Sequence, residues 1–386
     1  MKVLKICIGT WENASHDKRE LSVCRELGTD VEVLAKGDES HQEGFVDGFY
    51  VFRLSARPFK HMPVALNRIA SLFTWASYVR KRKDVDILSC HDLPALVIGY
   101  LSNFFRKKKA KLVYDSHEYE LGRNKKRNFI QKWWIRVLER FLIKKCSLVF
   151  MISDCIADEV RRVHHLKTRP YVVRNIPLKW ELNPEKSAEI RNNFLKELDM
   201  PEDTCIVMYH GIIAKFRGIE NLLAAAEKIE NLAVVVLGNG AADYMEQLKE
   251  QCVTLRIVDR VLFHAAVSLD KLPFYIAAAD IGTSLIEPVT LSYVWSLPNK
   301  FFENIQCLNP LIVSDFPEMG KLVDDYKIGL KVNPENLEEI AEAIRRLQND
   351  GELFSQFKDN LVQAKEDLCW EKEKQKLAEA YRTILN

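Results

Sequence analysis

The sequence predicts an α/β protein of two Rossmann-like domains, and three observations carry that expectation. Short apolar runs of strand length alternate with longer amphipathic stretches, twice over, in the pattern of a doubly wound parallel sheet. Between the two series lies a polar, charged segment, Lys179 to Asp203, that contains Pro184 and Pro201 and reads as linker plus a connecting helix. The 386 residues also exceed what one ordinary core organises and point to domains of roughly 150 to 200 residues each. The expected boundaries are 1–178, 179–365 and a closing helical segment 366–386.

Val3 to Ile8 reads as the first strand. A loop from Gly9 to Asp17 leads into an amphipathic helix near Lys18 to Leu27, which Gly28 ends, and Asp30 to Ala35 begins the next strand. Phe45 to Leu54 reads as further strand, Leu66 to Lys83 as a helix, and Asp86 to Ser89 as a strand ending at His91 and Asp92. A helix from Pro94 to Phe105 precedes the strand Lys111 to Tyr114, which ends in Asp115, Ser116, His117 and Glu118. Ligands of open α/β sheets bind outside the carboxyl ends of strands, and His16, His91 and His117 all fall at such ends. The strand Ser147 to Ser153, the helix Ile156 to Val163 and the strand Tyr171 to Arg174 complete the first series. The second runs through strands Ile206 to Tyr209, Ala233 to Leu237, Val261 to Phe263, Ile281 to Ile286 and Leu311 to Ser314, with helices between them. Each series has about six strands, and amphipathic helices Leu337 to Leu347 and Trp370 to Leu385 close the chain.

With 47% hydrophobic and 28% charged residues the composition is that of a soluble globular protein, which excludes a disordered or fibrous chain. The formal charge of +2 conceals a division. Residues 1–180 hold 34 Lys+Arg against 20 Asp+Glu, net +14, and the remainder 22 against 34, net −12. A basic half suits a polyanionic neighbour. Within it, Ile130, Trp133, Trp134, Val137, Leu138, Phe141 and Leu142 recur at helical spacing in Arg123 to Lys145, beside a stripe of Lys132, Arg136, Arg140 and Lys144. Tryptophan with a basic stripe suits an interfacial helix on anionic lipid. The alternative is a crossover helix that buries its apolar face on the sheet. The nine cysteines lack C-x-x-C or zinc-type spacing and suit the reduced thiols of a cytoplasmic protein. No apolar run approaches the ~18 residues of a membrane span, and no signal peptide is evident.

Three stretches point to chemistry. In Asp280 to Asp315 a strand, a loop, a helix starting at Pro298 and a second strand follow one another, with Ser296 as the expected cap. The free N–H groups of such a helix start, which Pro298 opens and Asn299 and Lys300 carry, attract phosphate, and Glu303 one turn on suits sugar hydroxyls. Gly211 to Gly218 follows the first strand of the second series. Its glycine permits close backbone approach, and Lys215 and Arg217 offer cationic donors to a diphosphate. Gly238, Asn239 and Gly240 lie between a strand and a helix, but Asp243 stands where a third glycine would complete a dinucleotide fingerprint. NAD is therefore not expected.

These stretches, YHGIIAKFRGIENLLAAAE, VVVLGNG, LFHAAVSLDKLPFYIAAADIG and LPNKFFENIQCLNPLIVSD, resemble in order and spacing the retaining nucleotide-sugar glycosyltransferases of the GT-B fold, the large group-four-type family with the "glycosyl transferases group 1" domain. HDKRELSVCRELGTDVEVLAKG, DILSCHDLPALVIGY, VYDSHEYE and VVRNIP in the first half resemble that family too, as does Trp370-Glu371 with the following helix. The resemblance implies two Rossmann-like domains facing each other across a cleft, the first on the acceptor side and the second holding the donor, with the last helix crossing back. It implies that Glu303 binds the donor's ribose hydroxyls, that Lys215 and Arg217 hold the diphosphate and that His117 faces the sugar. It also implies that Gly211, Gly238, Asn239, Gly240, Pro298, Asn299 and Lys300 line the donor site. Two positions depart from the family pattern: Trp295 stands where the first glutamate of E-x7-E falls, and Ile212 where an arginine usually follows the glycine.

The expected reaction moves a sugar from a UDP- or GDP-linked donor to a glycan or lipid-linked acceptor in bacterial surface polysaccharide or glycolipid assembly. No cofactor, metal or nucleic acid is expected, since no Asp-x-Asp sits in a suitable loop and no nucleic-acid module is recognisable. An anionic membrane surface is expected as a partner of the first domain, through Arg106 to Lys109 and the basic stripe. A nucleotide-sugar 2-epimerase of the same fold, or a non-catalytic basic binding protein, is the rival reading.

Overall fold

The structure, a computed structural model, describes residues 1–37, 42–59, 61–104, 106–123 and 127–385. Phe105, the expected end of a helix, and residues 124–126 of the basic stretch lie outside the described residues. The chain folds as two compact units, Met1–Arg174 with Glu373–Asn386, and Asn175–Lys372.

The first unit strings β1 (Lys2–Cys7), α1 (Ser15–Glu26), β2 (Asp30–Gly37), β3 (Gln42–Val46), β4 (Phe49–Ser55), α2 (Val64–Lys81), β5 (Ile87–His91), α3 (Asp92–Phe104), β6 (Lys111–Ser116), α4 (Phe129–Ile143), β7 (Leu148–Met151), α5 (Asp154–His164) and β8 (Tyr171–Val172). Its strands order as β3-β4-β2-β1-β5-β6-β7-β8, parallel except for the β3/β4 pair. That makes eight strands, not about six. One addition comes from a misread run, because Phe45 to Leu54 is the end of one strand and most of another. Asp47 and Gly48 turn the chain with φ of 50° and 78°. Two successive positive φ values make the type I′ turn that an Asp-Gly pair favours between antiparallel strands. Right-handed crossovers send α1 to one face of the sheet and, because travel along the sheet reverses after β4, α2, α3 and α4 to the other. On that face α2 packs on α3 and α3 on α4.

In the second unit the order is α6 (Pro184–Glu197), β9 (Cys205–His210), α7 (Ile219–Ala226), β10 (Leu232–Leu237), α8 (Ala242–Thr254), β11 (Val261–His264), α9 (Leu272–Ile276), β12 (Ile281–Ser284), α10 (Leu291–Val294), α11 (Asn299–Gln306), β13 (Leu311–Ser314), α12 (Pro317–Tyr326), β14 (Gly329–Val332), α13 (Leu337–Asn349) and α14 (Gly351–Asp367). Six parallel strands order as β11-β10-β9-β12-β13-β14. Every residue of β10 is buried, as in a parallel strand covered on both faces. The segment 179–203 is more than a tether, since Phe194 and Leu195 of α6 are buried against Ile206 and Met208 of β9. The last helix, α15 (Trp370–Leu385), carries the chain into the first unit. There the Tyr381 hydroxyl donates to Glu20 of α1. All nine cysteines are free, and no helix among the described residues is long and apolar enough to cross a membrane.

The start of α11 differs from expectation. Pro298 is the N-cap residue and no side chain caps the helix. Ser296 lies too far back, and its hydroxyl donates to the Tyr293 carbonyl instead, at 2.8 Å. The helix is anchored by Phe301, Phe302 and Ile305, buried with Leu311 and Val313 of β13. It approaches β12 so closely that a Cβ on Gly282 would lie 2.0 Å from Asn304 Oδ1. Gly282→Ala therefore overpacks the contact and destabilises the second unit by about 1–3 kcal/mol. Denaturant unfolding against wild type checks this, and an unchanged midpoint would show that Asn304 has room to move.

Candidate active site

Both sheets reverse their strand order at an inner strand, β1 in one and β9 in the other. Each reversal opens a crevice at the carboxyl edge, which is where open α/β sheets hold ligands. In the second unit the crevice is a cavity of about 510 Å³. Tyr209 and His210 end β9 on its floor, followed by Gly211, Ile212 and Arg217, while Gly238 and Asn239 come from the end of β10 and Pro298, Asn299, Lys300 and Glu303 from the start of α11.

The charges in this cavity are arranged unequally. His210 is buried, and its Nε2 lies 2.9 Å from Glu303 Oε2. A carboxylate there calls for a proton on Nε2 and leaves His210 Nδ1, which has no hydrogen-bond partner, as an acceptor. Lys300 is 7% exposed, its ammonium lies 3.6 Å from the centroid of the Tyr209 ring, and its Nζ has no hydrogen-bond partner. Burial, followed by the neighbouring Arg217 charge, holds Lys300 well below the usual lysine range, and Glu303 offsets this only in part. Arg217 itself lies over the Tyr293 ring at 5.1 Å. Two cations, uncapped helix N–H groups and a carboxylate thus converge on one space.

The glycines set how the loops meet. Gly238 has φ +156°, and a Cβ there would lie 1.9 Å from the Gly211 carbonyl oxygen. Gly240 forms a parallel bridge with Ile213, whose carbonyl oxygen would lie 2.5 Å from an added Cβ. The Gly-x-Gly pair is thus required by two loops pressed together, and the Asn239 side chain completes the join by accepting from Ala266 N at 3.1 Å. Gly240 does not line the cavity. Nor does Lys215, which is exposed. His210, which the sequence reading passed over, is the second member of the Glu303 pair. Its position immediately before Gly211 at a strand end was the available signal.

His117 belongs to the first unit and to a separate cluster. The Lys5 ammonium is fully buried in β1, 2.9 Å from Asp17 Oδ1 and 2.9 Å from Asp115 Oδ2, and it also binds Glu20. His117 Nε2 lies 3.1 Å from Asp115, and His91 Nδ1 lies 2.8 Å from Asp17. The His117 ring packs on His16 at 4.4 Å and on His91 at 4.1 Å. Burial pushes His117 down, but Asp115, with Asp17 and Asp92, overrides it and raises the imidazole to about 9. For Asp115 burial opposes ionisation, and Lys5 with His117 outweighs it, holding the carboxyl well below its usual range. Asp17, His91, Asp115 and His117 bring ligand-type atoms within 4.8 Å of one another, which suits a metal ion by spacing. Lys5 supplies one cation to both carboxylates, and His117, raised to about 9, offers Asp115 a second.

Known proteins agree with this architecture. Residues 190–363 match the family model for glycosyl transferases group 1, and residues 21–176 that for glycosyltransferase family 4. The chain is 23% identical over 371 residues, 90% of each chain, to an uncharacterized glycosyltransferase of Methanocaldococcus jannaschii. It is 22% identical over 231 residues, 60% of this chain and 59% of the other, to the O-antigen chain mannosyltransferase of Salmonella typhimurium. Among solved structures, that of Anabaena HepE in complex with UDP superposes with a TM-score of 0.78 at 16% identity, covering 99% of this chain and 100% of that one. With family models matching both halves and two parallel Rossmann-like sheets between them, the chain belongs to the group 1 glycosyltransferases of the GT-B fold.

Proposed function

We propose that the chain moves a sugar from a UDP- or GDP-linked donor to a hydroxyl of a glycan or lipid-linked acceptor, with retention and without a metal, in surface polysaccharide or glycolipid assembly. The observation that carries this reading is Lys300, a buried ammonium without a hydrogen-bond partner, at an uncapped helix start and beside Arg217. A buried cation is costly unless an anion meets it, and a diphosphate supplies two phosphate groups at that spot. Glu303, held by His210, then accepts ribose hydroxyls. The UDP held by the Anabaena neighbour supports the nucleotide class.

In the reaction the nucleoside diphosphate departs while the sugar gains oxocarbenium character. Arg217, Lys300 and the first N–H groups of α11 are fixed before charge develops on the leaving group, so no reorganisation is required as it forms. In the first unit His117, kept protonated by Asp115, is a donor for the sugar or the acceptor. NMR of the product reads the anomeric configuration, and activity undiminished by a chelator is expected. Donor alone should yield no isomerised sugar, the result a 2-epimerase would give.

Anion binding raises the Lys300 pKa, so UDP binding takes up a proton and weakens as pH rises. Titration calorimetry of UDP in two buffers of different ionisation enthalpy reads the uptake. Lys300→Met abolishes it and weakens UDP roughly tenfold to a hundredfold, the range of a charge-assisted hydrogen bond. Glu303→Ala weakens UDP to a similar degree; full retention of affinity and turnover by that variant would remove Glu303 from the donor site.

His117 has its own signature. Its unfolded imidazole titrates near ~6.5, below its folded value of about 9. The charged form therefore stabilises the fold fully below ~6.5 and that contribution fades as pH rises through about 9. Turnover should fall over the same upper limb, and His117→Gln should flatten it while leaving UDP affinity unchanged. A limb that persists in the variant belongs to another group.

A further inference from the structure

α4 is amphipathic, but with its faces reversed. Ile130, Trp133, Trp134, Val137, Leu138 and Phe141, spaced along one helical face, are all exposed, Trp134 at 61%. What α4 buries is Glu139, Leu142 and Ile143, and Glu139 accepts from the buried Tyr114 hydroxyl at 3.0 Å. The alternative of a crossover helix with its apolar face on the sheet does not hold, because that face is exposed. On α2, Leu66, Ile69 and Phe73 form a second exposed apolar stripe, continued backwards by Met62. α3 lies between the two helices and packs on both. Its Tyr100 meets Phe141 edge-on at 5.4 Å, and Phe104 at its end is exposed.

Charge on this layer has one sign. Arg68 and Arg80 of α2, Lys132, Arg136 and Arg140 of α4, and Lys144 just beyond it are all exposed. The only carboxylates on α2, α3 and α4 are Asp92 and Glu139. Both face inward: Asp92 accepts from His117 N and Glu139 from Tyr114. Arg106 drops out of the expected basic set, because it is buried with its guanidinium on the carbonyls of Lys83 and Val85. Apolar rings interleaved with cations complement a partner that is anionic at its surface and apolar beneath, which describes an anionic bilayer.

Position adds a second argument. α2 follows β4 and α4 follows β6, so both helices start at the carboxyl edge of the sheet, the edge that carries His91 and His117. The start of α4 is also its most exposed apolar part, with Phe129 at 82%. We propose that the α2–α3–α4 face docks the first unit on an anionic bilayer, rings at headgroup level and cations on the headgroup charges, with the His91 and His117 edge turned toward an acceptor held in that membrane. The docking stands by itself, and the acceptor clause rests on the transferase reading.

The test is flotation of the full chain with vesicles of phosphatidylcholine alone or with about a third phosphatidylglycerol, at low and high salt. Binding is expected only to the anionic vesicles and should weaken with salt, through screening. Trp133→Ser with Trp134→Ser, and separately Arg136→Glu with Arg140→Glu, should each lower the bound fraction tenfold or more without moving the melting temperature. Equal binding to both vesicle types, or unchanged binding by both variants, overturns the proposal. So does a chain that ignores vesicles and forms an oligomer that the tryptophan variant dissolves, since the face would then be a self-interface. UDP affinity, measured on the same samples, keeps the two readings apart: docking fails alone if UDP binds and vesicles do not.

Discussion

Each unit buries a lysine, and the two solve the resulting problem in opposite ways. An ammonium removed from water needs compensating charge or hydrogen bonds. Lys5 has both in full, from Asp17, Glu20 and Asp115. Those carboxylates are shared in turn: Asp17 with His91, Asp115 with His117, and Glu20 with Ser89 and Tyr381. One ammonium therefore ties β1, α1, β5, β6 and α15 together. Three carboxylates against one lysine leave an excess of negative charge, and that excess keeps His117 protonated. Lys300 has no such set, and its Nζ has only the face of Tyr209. The first cluster is closed and holds its neighbours in place. The second is open, and its missing term is an anion.

The open site is held rigid by backbone contacts too close for any side chain. Gly238 lies against Gly211, Gly240 against Ile213, and Gly218, at φ +75°, against the Leu285 carbonyl. Gly282 lets Asn304 of α11 seat on β12, and the same helix carries Lys300 and Glu303. Lys300 and Glu303 are therefore spaced by the helix they share, and packing on the strands places that helix beside the loop carrying Arg217. Electrostatic stabilisation of a leaving group depends on such prior arrangement.

Sequence periodicity revealed the parallel sheets, because fully buried strands such as Leu232–Leu237 are continuous apolar runs of strand length. It also located both crevices, since chemistry-bearing residues cluster just after those runs. Pairing across the chain was not legible. His210 meets Glu303 from 93 residues away, and its place before Gly211 at a strand end does not name that partner. Lys5 looked like one polar position in an alternating strand, and its three partners lie on α1 and β6. The hairpin at Asp47-Gly48 carried a local signal, but apolar residues on both sides masked the break. At Pro298 the helix start was read to within a residue, while the capping role given to Ser296 failed because Leu297, itself buried, intervenes.

Periodicity also says that a helix has two faces without saying which is buried. For α4 the choice was made by one residue. Glu139 sits opposite the tryptophans, where it accepts from the fully buried Tyr114 hydroxyl of β6. Turning α4 to bury Trp133 and Trp134 would strand Tyr114 and expose Leu142 and Ile143, now 2% exposed. The buried hydrogen bond and those two aliphatic side chains thus fix the helix rotation and force the aromatic face outward. An exposed patch of this kind is a liability in a protein that meets only water, and in this unit the same rotation brings the rings and the basic stripe onto one surface.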